Sequence, residues 1–235
     1  GTGVTLVKPG ERVVVSLLRS CGRCYSCTTG APHNCEAQWP LDRNSRLHND
    51  RGQALRHGTR VAAFAEYCIV DQSQVVPISE DIPFDKASLL SCGVITGVGA
   101  VINTAQVTPN SSVVVIGCGG VGLNALQGAA LAGAHPIIAV DILDAKLETA
   151  RTFGATHTLN STQVNLREAV RGLTNGRGTD YVLVTVGSPK ALEQSFPLPC
   201  KHGTIVIVGL SGSIPITLPA SNFVWNETRI LTSWM

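Results

Sequence analysis

The chain has 235 residues, 44% of them hydrophobic, which is enough for one large domain or two smaller ones with a real core. Its net charge is only +2, and the charges are scattered without a basic run, which excludes the electrostatic stripe that a nucleic-acid backbone requires. No segment reads as a signal peptide or a membrane span, so a cytoplasmic protein without nucleic-acid or membrane partners is expected.

From Gly1 to about Leu90, Pro9-Gly10, Asp50, Gly52 and Gly58 punctuate short apolar runs. Two of these, Arg12–Leu18 and Phe64–Val70, are predicted strands. Between them stand Cys21, Cys24, Cys27 and Cys35, with spacing C-x2-C-x2-C-x7-C. Four thiolates this close along the chain can enclose one tetrahedral Zn²⁺ in a closed, structural shell. Two disulfides are the alternative that an even cysteine count permits. A reducing compartment and a chain far larger than a disulfide-stapled mini-domain favour zinc. His33 is expected to be a solvated loop side chain, because four sulfurs already fill the shell. The polar stretch Asp42 to Gly58 lacks periodicity and is predicted as a loop; Leu89 to Ala105, rich in small residues, is predicted as a helix.

Beyond Pro109 the rhythm becomes strand, helix, strand, helix. Strands are predicted at Val113–Ile116, Ile137–Asp141, Thr156–Leu159, Tyr181–Val186 and Thr204–Val208, with helices over Leu123–Ala134 and Ala145–Phe153. Runs this continuously apolar fit a parallel sheet covered on both faces, so a doubly wound α/β sheet is expected.

The first of these strands ends at Gly117-Cys-Gly-Gly-Val-Gly122, a match to G-x-G-x-x-G, and Asp141 follows at the tip of the next strand, 19 residues after Gly122. A glycine loop between strand and helix, with an acid on the following strand, is the context of a dinucleotide site. Gly117 would permit the turn, Gly119 the close approach of the pyrophosphate and Gly122 the packing of helix on sheet; Gly120 and Val121 complete the loop. The helix N-terminus would face the phosphates. Asp141 would accept hydrogen bonds from the adenosine ribose and repel the extra phosphate of NADP, which favours NAD. A glycine turn serving packing only, with Asp141 as a helix cap, is the competing reading. Lys146 gains nothing from the helix dipole so early in its helix; a ribose or phosphate contact and an ordinary solvated lysine both remain open.

The cysteine quartet, Cys92 in Leu89-Leu-Ser-Cys-Gly-Val-Ile-Thr-Gly-Val-Gly, the loop Gly117–Gly122 and Asp141 occur in the order found in zinc-dependent alcohol dehydrogenases of the medium-chain dehydrogenase/reductase family. Val7-Lys-Pro-Gly-Glu-Arg-Val, Ala65-Glu-Tyr and Val140-Asp-Ile followed by Lys146 strengthen a resemblance that covers essentially the whole chain. It implies part of a β-rich GroES-like catalytic domain with a structural zinc lobe over 1–92 and an NAD-binding Rossmann domain over 93–235. It implies oxidation of a primary or secondary alcohol to an aldehyde or ketone with hydride transfer to NAD. By the same resemblance Cys92 is one of three ligands to a catalytic zinc, and Thr96, Val208, Gly209 and Leu210 line the cofactor cleft. A homodimer or homotetramer, paired through the edge strand at Arg229–Met235, is also implied.

The chain departs from the pattern in places. The family's other two catalytic-zinc ligands have no counterpart in it, and His48, His57, His135, His157 and His202 fall outside matching positions; Cys68, Cys118 and Cys200 match no ligand either. Gly1 is not an initiator and Met235 follows what reads as a strand, so an internal, C-terminally truncated piece is expected, inactive alone. Glutathione-dependent formaldehyde dehydrogenases, a branch of the family, typically carry Arg where Trp39 stands, and the Asp42–Gly58 loop is shorter than theirs. A general or bulkier alcohol is favoured, with an S-hydroxymethyl glutathione adduct, another polyol or formaldehyde oxidation, and a catalytically silent NAD-binding relative as alternatives.

Overall fold

The computed structural model describes residues 1–43, 47–210, 212–213 and 215–235, with the backbone alone at position 41. The chain divides into two compact units, Gly1–Cys92 and Gly93–Met235.

In the first unit, β1 (Val13–Val15) pairs antiparallel with β2 (Val75–Pro77), Val14 opposite Val76. Around this ribbon lie mostly single turns: α1 (Tyr25–Thr28), α2 (Pro40–Arg43), α3 (Phe84–Ala87) and 3₁₀ turns at Pro32–Asn34, Gly58–Arg60 and Gln72–Gln74. With so little ladder, buried polar side chains join the segments. Gln74, 1% exposed, donates to the carbonyls of Ser16 (2.8 Å) and Arg60 (3.2 Å) and accepts from the Asp71 amide (3.2 Å). A buried amide must satisfy its donors and acceptor, so one side chain fixes three stretches of backbone. Arg12 donates to the Ile82 carbonyl at 2.6 Å and to that of Glu80, with its guanidinium 4.1 Å above the Phe84 ring. The strand expected over Phe64–Val70 is absent: these residues form bends and irregular backbone, and Phe64, Tyr67 and Ile69 are exposed. Alternation supplied the pattern, but among the described residues no neighbouring strand supplies the ladder. Within the predicted loop Asp42–Gly58, positions 44–46 lie outside the described residues; Asn49 closes a turn by accepting from the amides of Arg51 and Gln53.

The second unit is built on a six-stranded parallel sheet, β3 (Val113–Ile116), β4 (Ile137–Asp141), β5 (His157–Asn160), β6 (Thr179–Val184), β7 (Pro199–Ile207) and β8 (Arg229–Thr232), in the order β5-β4-β3-β6-β7-β8. This is a doubly wound Rossmann sheet, and its order reverses between β3 and β6, where such sheets open a crevice for ligands. All four residues of β3 are buried, Val113 and Val115 in one cluster with Ala125, Leu126 and Ala129, Val114 and Ile116 in another with Val170, Leu192 and Phe196. Side chains alternate across a strand, so a sheet covered on both faces must be apolar at every position. The first face is covered by the helical turn Ala100–Ala105, α5 (Gly120–Leu131) and α6 (Asp144–Thr152), the second by α7 (Leu166–Leu173) and α8 (Pro189–Ser195); α4 (Ile95–Gly99) packs on α5, and α9 (Ala220–Asn226) precedes β8. α7, α8 and α9 have no counterpart among the predicted helices.

Several bounds differ from expectation: β1 keeps only Val13–Val15 of the predicted Arg12–Leu18, and β6 runs Thr179–Val184 where Tyr181–Val186 was expected. The helix expected at Leu123–Ala134 starts at Gly120, inside the glycine motif. The helix expected over Leu89–Ala105 is one helical run in three parts, with wider π turns at Leu90–Val94 and Ala100–Ala105 around α4. β7 begins at Pro199, five residues before the predicted start, with a register shift beside Thr179.

Candidate cofactor and zinc sites

In the second unit, Gly117 leaves β3 with φ +98°, a conformation that side chains strain to adopt. Gly119 then serves as N-cap of α5 without any side-chain cap, so the leading amides of the helix are left to a ligand or water. The three motif glycines have different reasons to be glycine. A Cβ at Gly122 would overlap the Gly117 carbonyl oxygen and stand 2.9 Å from Thr185 Oγ1, whereas a Cβ at Gly119 or Gly120 would meet nothing within 4 Å. Protein packing therefore explains Gly122 and leaves Gly119 unexplained, and a pyrophosphate needs the space above it.

Asp141 ends β4, and its side chain also supports the loop. It is 8% exposed, and its carboxylate holds the loop: Oδ2 accepts from the Cys118 amide (2.7 Å), Oδ1 from those of Ile142 (2.8 Å) and Leu143 (3.1 Å). A carboxylate has about four acceptor positions, so roughly one remains for a ribose hydroxyl. Cys118, between the glycines, is buried, and burial together with the Asp141 charge pushes its thiol up to about 12, so it stays neutral. Lys146 is exposed on α6 and close enough to act electrostatically on that thiol.

Across the crevice, Thr185 at the end of β6 donates to the carbonyls of Gly117 (2.7 Å) and Ile116 (3.0 Å). The amides of Val208 and Gly209 both donate to the Val184 carbonyl, and a Cβ at Gly209 would stand 2.6 Å from the Val186 carbonyl oxygen. Leu210 is 79% exposed just beyond, while Thr96 is buried in α4. Thr185 and Val186 were read from sequence as strand; their signal was their place at the end of an apolar run flanked by Gly187.

In the first unit, Sγ atoms of Cys21, Cys24, Cys27 and Cys35 lie within 4.8 Å of one another, and all eight cysteines are free thiols. Cys24 and Cys35 Sγ are 3.9 Å apart. A tetrahedron of Zn–S bonds of about 2.3 Å has sulfurs about 3.8 Å apart, so the cage fits zinc. Backbone amides point at the sulfurs, Cys24 N to Cys21 Sγ at 3.3 Å and Cys21 N to Cys35 Sγ at 3.4 Å. Amides of Glu36 and Cys27 pull the Cys24 thiol down to about 6, while desolvation and the neighbouring Cys24 raise Cys27 to about 11. Cys21 is lowered as well, by the Arg23 amide, so backbone amides favour the thiolate at two of the four positions. His33 stands outside the cage, beside Asn34. Cys92 is exposed, and among the described residues no group of three ligating side chains includes it. These residues do not make a catalytic metal site, which needs three protein ligands.

Two family models match the chain, the alcohol dehydrogenase GroES-like domain over residues 1–80 and the zinc-binding dehydrogenase domain over residues 120–235. The chain belongs to the zinc-dependent alcohol dehydrogenases. Among curated members of this medium-chain family it is 37% identical, over 227 residues, to S-(hydroxymethyl)glutathione dehydrogenase of Paracoccus denitrificans, covering 90% of this chain and 60% of that one. Among solved structures, an alcohol dehydrogenase zinc-binding domain protein from Burkholderia ambifaria matches with TM-score 0.90 and 30% identity, covering 99% of this chain and 65% of that one. Benzyl alcohol dehydrogenase from Acinetobacter calcoaceticus matches with TM-score 0.87 and 33% identity, covering 97% and 64%. The chain thus spans about 60% of the length of the curated dehydrogenase it matches. As in zinc-dependent alcohol dehydrogenases, its residues suit NAD at the glycine loop and zinc in the cysteine cage.

Proposed function

We propose that the whole protein oxidises a primary or secondary alcohol to an aldehyde or ketone, with NAD as hydride acceptor. The observation that carries this reading is the loop at Gly117–Gly122: an uncapped helix N-terminus, a Gly119 with open space above it, and Asp141 at the neighbouring strand tip. NAD supplies, when bound, the nicotinamide ring that takes the hydride. The chain's own part is placement. The α5 amides bind the pyrophosphate, and Asp141 takes a ribose hydroxyl while its charge opposes a 2′-phosphate. Lys146, exposed on α6, takes the ribose or its phosphate. β4 lies on one side of β3, with β6 and β7 on the other, so a dinucleotide laid across the switch point brings its nicotinamide half to Thr185, Val186 and Val208–Leu210. Thr96 supports that half from α4. The cysteine cage clamps the loop Cys21–Cys35, and Cys92 is the one residue here for a catalytic metal, whose remaining ligands these residues do not supply.

Eight cysteines with no disulfide among them support a cytoplasmic protein. β8 at the sheet edge supports pairing into a homodimer or homotetramer. A glutathione adduct is the second reading, favoured by the Paracoccus relative. Against it, Trp39 stands where that branch carries Arg, and its ring lies 5.0 Å from the guanidinium of Arg19, a buried residue paired with Asp42.

The test is NADH formation by the whole protein with ethanol, benzyl alcohol and S-hydroxymethylglutathione. Benzyl alcohol is expected to give the highest kcat/KM; highest turnover of the adduct would select the second reading, and no turnover of any with NAD bound would leave a silent nucleotide-binding relative. In parallel, Asp141→Asn is expected to weaken NAD about ten- to a hundredfold and narrow the preference over NADP, one charge-assisted hydrogen bond being worth about 1.5–3 kcal/mol. Unchanged NAD affinity by calorimetry would remove Asp141 from the ribose.

A further inference from the structure

The second unit holds a cavity of about 440 Å³ lined by Arg167, Arg171, Arg177 and Lys201 together with Phe196 and Phe223, and its lining contains no Asp or Glu. It is separate from the glycine loop. Pro199 and Lys201 belong to the start of β7, whereas the dinucleotide crevice lies at the C-terminal ends of the strands, so the two sites lie at opposite ends of the strands.

Four cations around one cavity repel one another, and the protein does little to offset this. Of these four, only Arg177 has an ion-pair partner among the described residues, Asp180 at 3.7 Å. That carboxylate is engaged elsewhere: it accepts from the Ser112 amide (2.8 Å) and hydroxyl (2.6 Å) and from the Cys200 thiol at 3.5 Å. Burial opposes ionisation of Asp180, and the Ser112 bonds overcome it and keep the carboxyl below its usual range. Arg167 and Arg171 stand four residues apart on α7, a spacing at which like charges lie side by side and destabilise the helix. Arg167 is also in the first turn, where the helix dipole disfavours a cation. An anion held between them would relieve both. Beside the cations, the rings of Phe196 and Phe223 meet edge to face, centroids 5.5 Å apart, and give the cavity an apolar wall. Cationic forks that match phosphate oxygens, next to an aromatic wall in a volume typical of small-molecule sites, define a ligand class.

We propose that this cavity binds a small organic phosphate carrying a ring, at a site distinct from that of the dinucleotide. Phenyl phosphate is the probe. Titrated calorimetrically into the full chain at low salt, with and without saturating NAD to separate any binding at the glycine loop, it is expected to bind one saturable site in the presence of NAD. The exposed pair Arg167→Gln and Arg171→Gln should weaken binding at least tenfold, with NAD affinity unchanged and the melting temperature equal or slightly raised; Lys201→Gln alone should weaken it about threefold. Inorganic phosphate should bind at least threefold more weakly than phenyl phosphate. Equal binding by the double variant, or no saturation by the parent, would overturn the site. Tighter binding of a hexaglutamate peptide than of phenyl phosphate would overturn the ligand class in favour of an acidic protein segment.

Discussion

Replacing Gly122 by alanine is expected to unfold the second unit or lower its stability by about 3 kcal/mol or more, while Gly119→Ala leaves stability within about 1 kcal/mol and abolishes NAD binding. The reason is in the surroundings of the two positions. The Cβ of an alanine at 122 would occupy the place of the Gly117 carbonyl oxygen and crowd Thr185 Oγ1 at 2.9 Å, both held by the start of α5 against the ends of β3 and β6. Neither partner can yield, because Gly117 is fixed in a turn and Thr185 donates to that same carbonyl. A Cβ at 119 meets open space, so the folded chain tolerates it, but it stands where the pyrophosphate must approach the helix amides. Denaturant midpoints and NAD calorimetry on the two variants separate the effects. Equal destabilisation by both would mean that the loop's glycines serve packing only, the competing reading of the motif.

Removing zinc, or one of its ligands by Cys24→Ser, is expected to release the Cys21–Cys35 segment while the second unit melts unchanged. Structural zinc contributes about 10–16 kcal/mol in zinc-finger peptides, more than most whole domains retain, and this segment has only the single turns Tyr25–Thr28 and Pro32–Asn34 to hold it otherwise. The measurements are zinc content, one ion per chain in the parent and none in the variant, and protease cleavage between Cys21 and Cys35. The same site sets a pH dependence. Cys24 falls in the folded chain from 9.0 to about 6, so its contribution is fully present above its unfolded value and is lost as pH falls through the folded one. Cys27, raised to about 11, acts in the opposite sense, but protons compete with zinc for all four thiolates, so metal release is expected on acidification. Resistance of the metal-free segment to proteolysis would show that zinc is dispensable for its fold.

Much of this protein is legible in its sequence because the relevant physics is local. Continuous apolar runs fixed β3 and β4 to the residue, since a strand covered on both faces has no polar position to spare. The cysteine spacing foretold the cage because a four-ligand shell closes within a loop of a few residues. The glycine fingerprint foretold the loop because its turn, cap and helix start are contiguous.

What the sequence could not determine depended on partners distant in the chain. Phe64–Val70 has a strand's alternation, yet a strand also needs a neighbour with free backbone groups, and local pattern does not reveal one. Asp141 was legible as an acid at a strand tip, but only the fold shows that Cys118, from the neighbouring strand's loop, takes one of its oxygens and makes it part of the loop's support. Arg167, Arg171, Arg177 and Lys201 look like scattered surface cations along the chain. α7, the turn before β6 and the start of β7 bring them round one cavity, because charge density is a property of positions in space, and folding alone sets those.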